Sequence, residues 1–208
     1  MNTLLTGFGP FLEVVSNPTE RLVRHFDGRS VSGHNLTGLV LPVSYLRASR
    51  MLIEALEHGD ELGRPFDLVW MLGVATSASA WRVERFGRNR NDAVADADGN
   101  LPSEVIAQHG PEVLESTIPV ASVVLALESG NLPAVPSDSA GGYLCNHEYY
   151  TALLHIQQSG SGARAGFLHV PEDNLTRERS EVSVFTFDQH IEAIRVSLAV
   201  LASETSLV

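Results

Sequence analysis

The sequence predicts one α/β domain spanning residues 1–208, a three-layer α/β/α sandwich on a mixed, mostly parallel sheet. Three observations lead there. Short apolar strand-like runs alternate with segments of helical periodicity, and Gly- and Pro-rich turns join them. The run Phe66–Leu72 is apolar except for Asp67 and is closed by Gly73, as a strand covered on both faces reads. Finally, 208 residues with 44% hydrophobic and 19% charged side chains suit one soluble domain with a substantial core.

Along the chain, residues 2–6 read as a buried strand ending at Gly7. Asn17-Pro18-Thr19-Glu20 opens a helix: Asn caps, Pro fits the first position, and Glu20 has the spacing of a capping box. A strand covers 36–43, and residues 45–58 carry helical spacing through Leu46, Met51 and Leu56. Residues 88–104 are polar and read as a long surface loop; 171–184 are similar in character. Helices are predicted over 119–128 and 145–157, and a strand over 165–170. The last helix opens at Thr186, with Gln189 in the box position, and runs Ile191, Ile194, Leu198 and Leu201 down one face.

Composition removes several kinds of function. A net charge of −11 disfavours nucleic acid and anionic membrane as partners. All fourteen cationic side chains are Arg, so Lys-dependent P-loop, Schiff-base and pyridoxal-phosphate chemistry are out of reach. One Cys cannot form an internal disulfide or a Cys-based zinc cluster. No segment has the pattern of a secretory signal or the roughly 18–20 apolar residues of a membrane span, so a cytoplasmic location is expected.

Two motifs mislead. Gly7-Phe8-Gly9-Pro10-Phe11 begins like a dinucleotide fingerprint, but the third glycine is absent and Pro10 lacks the amide a phosphate needs. His147-Glu148 begins like a metalloprotease helix, yet Thr151 stands where the second His belongs. No metal site and no cofactor are expected.

Cys145 follows the turn Gly141-Gly142 at the start of a helical segment. Amides without helical partners and the positive end of the dipole favour a thiolate there, and the same amides can cradle an oxyanion. Local sequence alone leaves a buried structural Cys equally open. His169 lies at the carboxyl end of an apolar strand, the edge where chemistry gathers in open α/β sheets; a core His is the alternative. Glu84 could orient that imidazole, or simply pair with a neighbouring Arg.

The chain resembles the pyrrolidone-carboxylate peptidase (pyroglutamyl peptidase I) family of cysteine peptidases almost end to end. The resemblance rests on Thr6-Gly7-Phe8-x-Pro10-Phe11, Asn17-Pro18-Thr19-Glu20, Leu41-Pro42-Val43, Gly73, and Glu84-Arg85 with Asn89. It continues in Ser139-Ala140-Gly141-x-Tyr143-x-Cys145-Asn146 and Arg164-Ala165-Gly166-Phe167-x-His169-Val170-Pro171. It implies a Cys145–His169–Glu84 triad that releases N-terminal pyroglutamate from peptides, with Phe8 and Phe11 packing on the lactam ring. It also implies a homo-oligomer, dimer or tetramer. Two departures stand out: Val74 replaces a Gln near the ring pocket, and Val94 replaces an Arg expected near the nucleophile, with Arg88 and Arg90 nearby but out of register. A related amidohydrolase with a shifted acyl pocket, and an inactive binding relative, are the alternatives these departures raise.

Overall fold

The computed structural model describes residues 1–11, 14–176 and 185–203. In order these form β1 (Asn2–Phe8), α1 (Pro18–Phe26), β2 (Ser30–Val31), β3 (His34–Leu41), α2 (Tyr45–Glu61), β4 (Leu68–Ala75) and β5 (Trp81–Glu84). Then come β6 (Phe86–Arg88), β7 (Val113–Glu115), α3 (Val120–Ser129), β8 (Ala134–Ser137), α4 (Leu144–Ser159), β9 (Arg164–Pro171) and α5 (Phe187–Ser203). Seven strands make one sheet in the order β2-β3-β1-β4-β9-β5-β8, and β6 pairs with β7 separately. β1 runs parallel to β3 and β4, β4 to β9, and β5 to β8. The β2–β3 and β5–β9 pairs are antiparallel, so the sheet is mixed and mostly parallel as predicted.

Strand alternation divides the core in two. Leu68, Trp70 and Leu72 of β4 face α1, α3 and α5, where Phe26, Leu127, Ile194 and Leu198 are buried. Val69 and Met71 face α2 and α4, packing with Leu52, Leu56, Leu153 and Ile156. β4 can be apolar on both sides because helices cover both. No helix among the described residues is long and apolar enough to cross a membrane.

Caps account for two helix starts. Asn17 Oδ1 accepts from the Thr19 amide, as expected, but Glu20 does not close the box; Arg24 holds its carboxylate from one turn below. Thr186 and Gln189 do form the reciprocal box on α5. The expectation for 171–184 falls largely outside the described residues.

One buried group sits awkwardly between layers. Glu148 of α4 is fully buried, with one carboxylate oxygen receiving the Ser49 hydroxyl of α2 at 2.8 Å and the other unpartnered. Burial pushes its pKa up to about 8, against the smaller lowering by the Ser49 bond. The unfolded chain ionises this carboxyl near 4.5, so stability falls as pH rises from there towards 8 and the loss levels off above. Glu148→Gln keeps an acceptor for Ser49 and removes that loss. Its melting temperature is expected to gain on wild type progressively between pH 5 and 8 and to hold a steady lead above, which thermal scans at stepped pH will read.

Candidate active site

The chain's path creates a crevice. From β1 it crosses by α1 to β3 over one face of the sheet, then returns by α2 on the other face to β4 on the far side of β1. β1 and β4 thus part at a topological switch point, where ligands bind beyond the carboxyl ends of strands. Pairing between them stops at Thr6–Met71, while β1 stays with β3 to Phe8–Leu41 and β4 stays with β9 to Ala75–Pro171.

Three side chains meet at this edge. Cys145 is the second residue of α4, half-buried, and Tyr143 at the N-cap makes no side-chain cap bond, leaving the first-turn amides as donors. His169, near the end of β9, lies close enough to this thiol for Cys145 to act on its imidazole pKa. His169 Nδ1 lies 2.8 Å from Glu84 Oε1, and Glu84 is fully buried. Antiparallel pairing explains the reach: Arg82 is opposite His169 and Glu84 opposite Phe167, so Glu84 and His169 are diagonal neighbours on one face. Burial alone depresses the His169 pKa, but the charge of Cys145, the hydrogen bonds to Cys145 and Glu84, and the Glu84 charge outweigh it and raise it to about 9. Cys145 therefore has an imidazole within reach to exchange its proton, as a cysteine nucleophile requires.

Gly73 makes room for it. It is the register partner of His169 on β4, and a Cβ there would come within 2.9 Å of Cys145 Sγ and 2.8 Å of Phe167 Cζ. The thiol occupies the space a side chain at 73 would fill.

Beside the thiol lies a small, mostly apolar slot lined by Phe8, Phe11, Val43, Val74, Tyr143 and Leu144, with Asn17 as its polar side chain. Phe8, Phe11 and Val74, singled out by sequence, all line it. The Phe8–Phe11 turn is held from within: the Phe8 amide donates to Thr19 Oγ1, the Gly9 amide to the Leu41 carbonyl, and Asn17 Nδ2 to the Gly9 carbonyl. Asn17, a helix cap in the sequence, therefore also braces the slot.

The polar stretch 88–104 lacks regular structure after β6 but is tied to the start of α4. Asn146 accepts from the Arg88 amide and donates to the Arg88 and Arg90 carbonyls; the Asp92 amide donates to Gly142 O. His147 Nδ1 meets Asn91 Oδ1 at 2.9 Å, and burial lowers its pKa to about 4, so it serves here as a neutral ring. Of the departures, Val94 is 45% exposed, and the Arg88 guanidinium is engaged on the Asp138 carbonyl. Sequence reasoning did not find Tyr45, Asn91 or His147 as part of this neighbourhood. Their partners lie 49–56 residues away and leave no local pattern.

A thiol at a helix start, an imidazole beside it and a buried carboxylate behind are the parts of a cysteine hydrolase on an open α/β sheet. The chain belongs to the pyroglutamyl peptidase family, whose model matches residues 1–204. It is 38% identical over 170 residues to a pyrrolidone-carboxylate peptidase of Halalkalibacterium halodurans, covering 81% of this chain and 82% of that protein. Identity to the pyrrolidone-carboxylate peptidase of Pyrococcus furiosus is 33% over 212 residues, covering 98% and 99%. The solved pyrrolidone carboxyl peptidase from Thermococcus litoralis superposes with a TM-score of 0.91 at 31% identity, over 99% of this chain and 94% of that one.

The close approach at Gly73 gives a direct expectation. Gly73→Ala displaces Sγ from its seat over β4, and alkylation of Cys145 by iodoacetamide at pH 7 is expected to slow on the order of tenfold. Unchanged alkylation in a folded variant contradicts the seat.

Proposed function

We propose that this chain is a cysteine omega-peptidase that releases N-terminal pyroglutamate from peptides, using Cys145, His169 and Glu84. The observation that carries the reading is the Cys145–His169–Glu84 line opening beside an apolar slot. Pyroglutamate is a neutral five-membered lactam; Phe8, Phe11 and Val74 suit its ring faces, and the slot's apolar lining disfavours the ammonium of an ordinary N-terminal residue.

In this mechanism His169 takes the Cys145 proton, and the thiolate attacks the carbonyl carbon linking the lactam residue to the peptide. The oxyanion is held at the first-turn amides of α4, including that of Cys145. As the C–N bond breaks, the imidazolium returns its proton to the leaving amine, leaving a thioester. Water, deprotonated by His169, attacks the thioester; pyroglutamate leaves and the thiol is restored. Glu84 holds the ring by Nδ1 throughout. One domain suffices for this. A reducing cytoplasm keeps the lone thiol free, and the family resemblance supports a homo-oligomer.

A second reading, the same hydrolytic machinery on another small acyl group, is favoured by Val74, which adds an apolar surface to the slot wall. Hydrolysis of a fluorogenic pyroglutamyl amide, with a proline amide as control, separates the two. Turnover of the pyroglutamyl compound alone, abolished in Cys145→Ala, is expected. Rapid alkylation of Cys145 without turnover favours the second reading.

The electrostatics add a pH expectation. Glu84 raises the His169 pKa, so Glu84→Gln lowers it, and the imidazolium that protonates the leaving amine is lost at lower pH. The alkaline limb of kcat/KM, which reports the free enzyme, is expected to move from near pH 9 downwards by about one unit or more, with a fall in rate. A limb that stays put contradicts the role given to Glu84.

A further inference from the structure

We propose that Tyr45, which stands behind the residues lining the slot, is a positioning residue that fixes the outer wall of the acyl slot through Tyr143 and the 88–104 segment. Tyr143 stands at a junction: it is the N-cap residue of α4, it lines the slot, and its ring lies 6.4 Å from that of Phe11. Nothing in its own helix orients that ring. What does so comes from two other parts of the chain.

The Tyr143 hydroxyl donates to the Ala95 carbonyl at 3.2 Å, and the Tyr45 hydroxyl donates to the adjacent Val94 carbonyl at 3.1 Å. The two rings meet edge-on, 5.8 Å apart at 86°. His147 closes the row on the far side of Tyr45 at 5.0 Å, itself bonded to Asn91. One short stretch, residues 91–95, thus receives three of the side chains that stand along this wall.

That stretch is anchored at both flanks. The Asp92 amide donates to Gly142 O, within the turn that leads to Cys145. Asp96, 7% exposed, accepts from the Tyr45 amide and from the amides of Asp98 and Asn100. Ser44, the N-cap residue of α2, makes no side-chain cap bond, so Asp96 supplies the acceptor in its place. The Ala97 amide donates to the carbonyl of Val43, another residue of the slot. The starts of α2 and α4 are therefore held to one strap, and Tyr45 with Tyr143 are the two side chains that bridge from it to the slot. Losing either hydroxyl frees the wall without touching thiol, imidazole or carboxylate.

The kinetic consequence rests on the pyroglutamyl reading above; the structural one does not, and the experiment reads both. Tyr45→Phe, Tyr143→Phe and the double variant keep the rings and remove one or both hydrogen bonds. With the pyroglutamyl amide, each single variant is expected to raise KM about three- to tenfold with kcat within about twofold, as suits one lost hydrogen bond. The double variant is expected to be no worse than the weaker-binding single, because both bonds fix one wall. In hydrogen exchange, Tyr45→Phe is expected to loosen peptides covering 92–98 and 143–148 together. Exchange that changes only in 92–98 or nowhere, additive KM effects, or a fall in kcat at constant KM overturns the proposal. A wild type that does not cleave the amide overturns the substrate reading instead, and the exchange result then decides the positioning claim by itself.

Discussion

A buried imidazole stays protonated only when negative charge meets it strongly enough to offset the loss of water. His169 is 7% exposed, and burial by itself drives it towards neutrality; Cys145 on one side and Glu84 on the other reverse that. Much of the architecture follows from satisfying this one ring. β5 must run antiparallel beside β9 so that a carboxylate reaches Nδ1 from two residues back. α4 must begin over β4 so that its second residue reaches the ring, and β4 must carry glycine beneath. Glu84 Oε2 has no partner, so the ring receives the one strong hydrogen bond this carboxylate's side chain makes. A carboxylate left so under-bonded has every reason to hold its imidazolium.

The same constraint explains why the polar stretch 88–104 is ordered rather than loose. The first turn of α4 has no side-chain cap of its own, which leaves its amides as donors. Its support comes instead from across the chain: Asn146 clasps the Arg88–Arg90 backbone, and the Asp92 amide meets Gly142. A loop built of polar residues suits this work, because these contacts are hydrogen bonds and none needs an apolar face.

How much of this could be read from sequence depended on where each partner lay. β1, β4 and β9 are legible as apolar runs because they are buried on both faces, and the helices differ from expectation by only a few residues at their ends. β5 and β8 escape. Trp81–Glu84 is four residues of alternating character, and Ala134–Ser137 contains Pro136, which an edge strand tolerates and a pattern search rejects. The glycine turn and helix start before Cys145 were legible but left a structural Cys equally open, and only the family resemblance singled it out. Glu84 was only one carboxylate among several, since its meaning comes from a register with a strand 85 residues away. Tyr45 and Tyr143 bond to carbonyls, which every residue has, so nothing in their spacing announced them.

The ionisation of His169 tests the account most directly. Its imidazole titration, followed by NMR in wild type and in Cys145→Ala, compares the ring with and without the sulfur beside it. The account predicts a wild-type midpoint near 9 and a substantially lower one in Cys145→Ala, where Glu84 alone opposes burial. The same midpoint in both proteins would mean that the thiol and imidazole do not share a charge, and the nucleophile assigned to this site would be wrong.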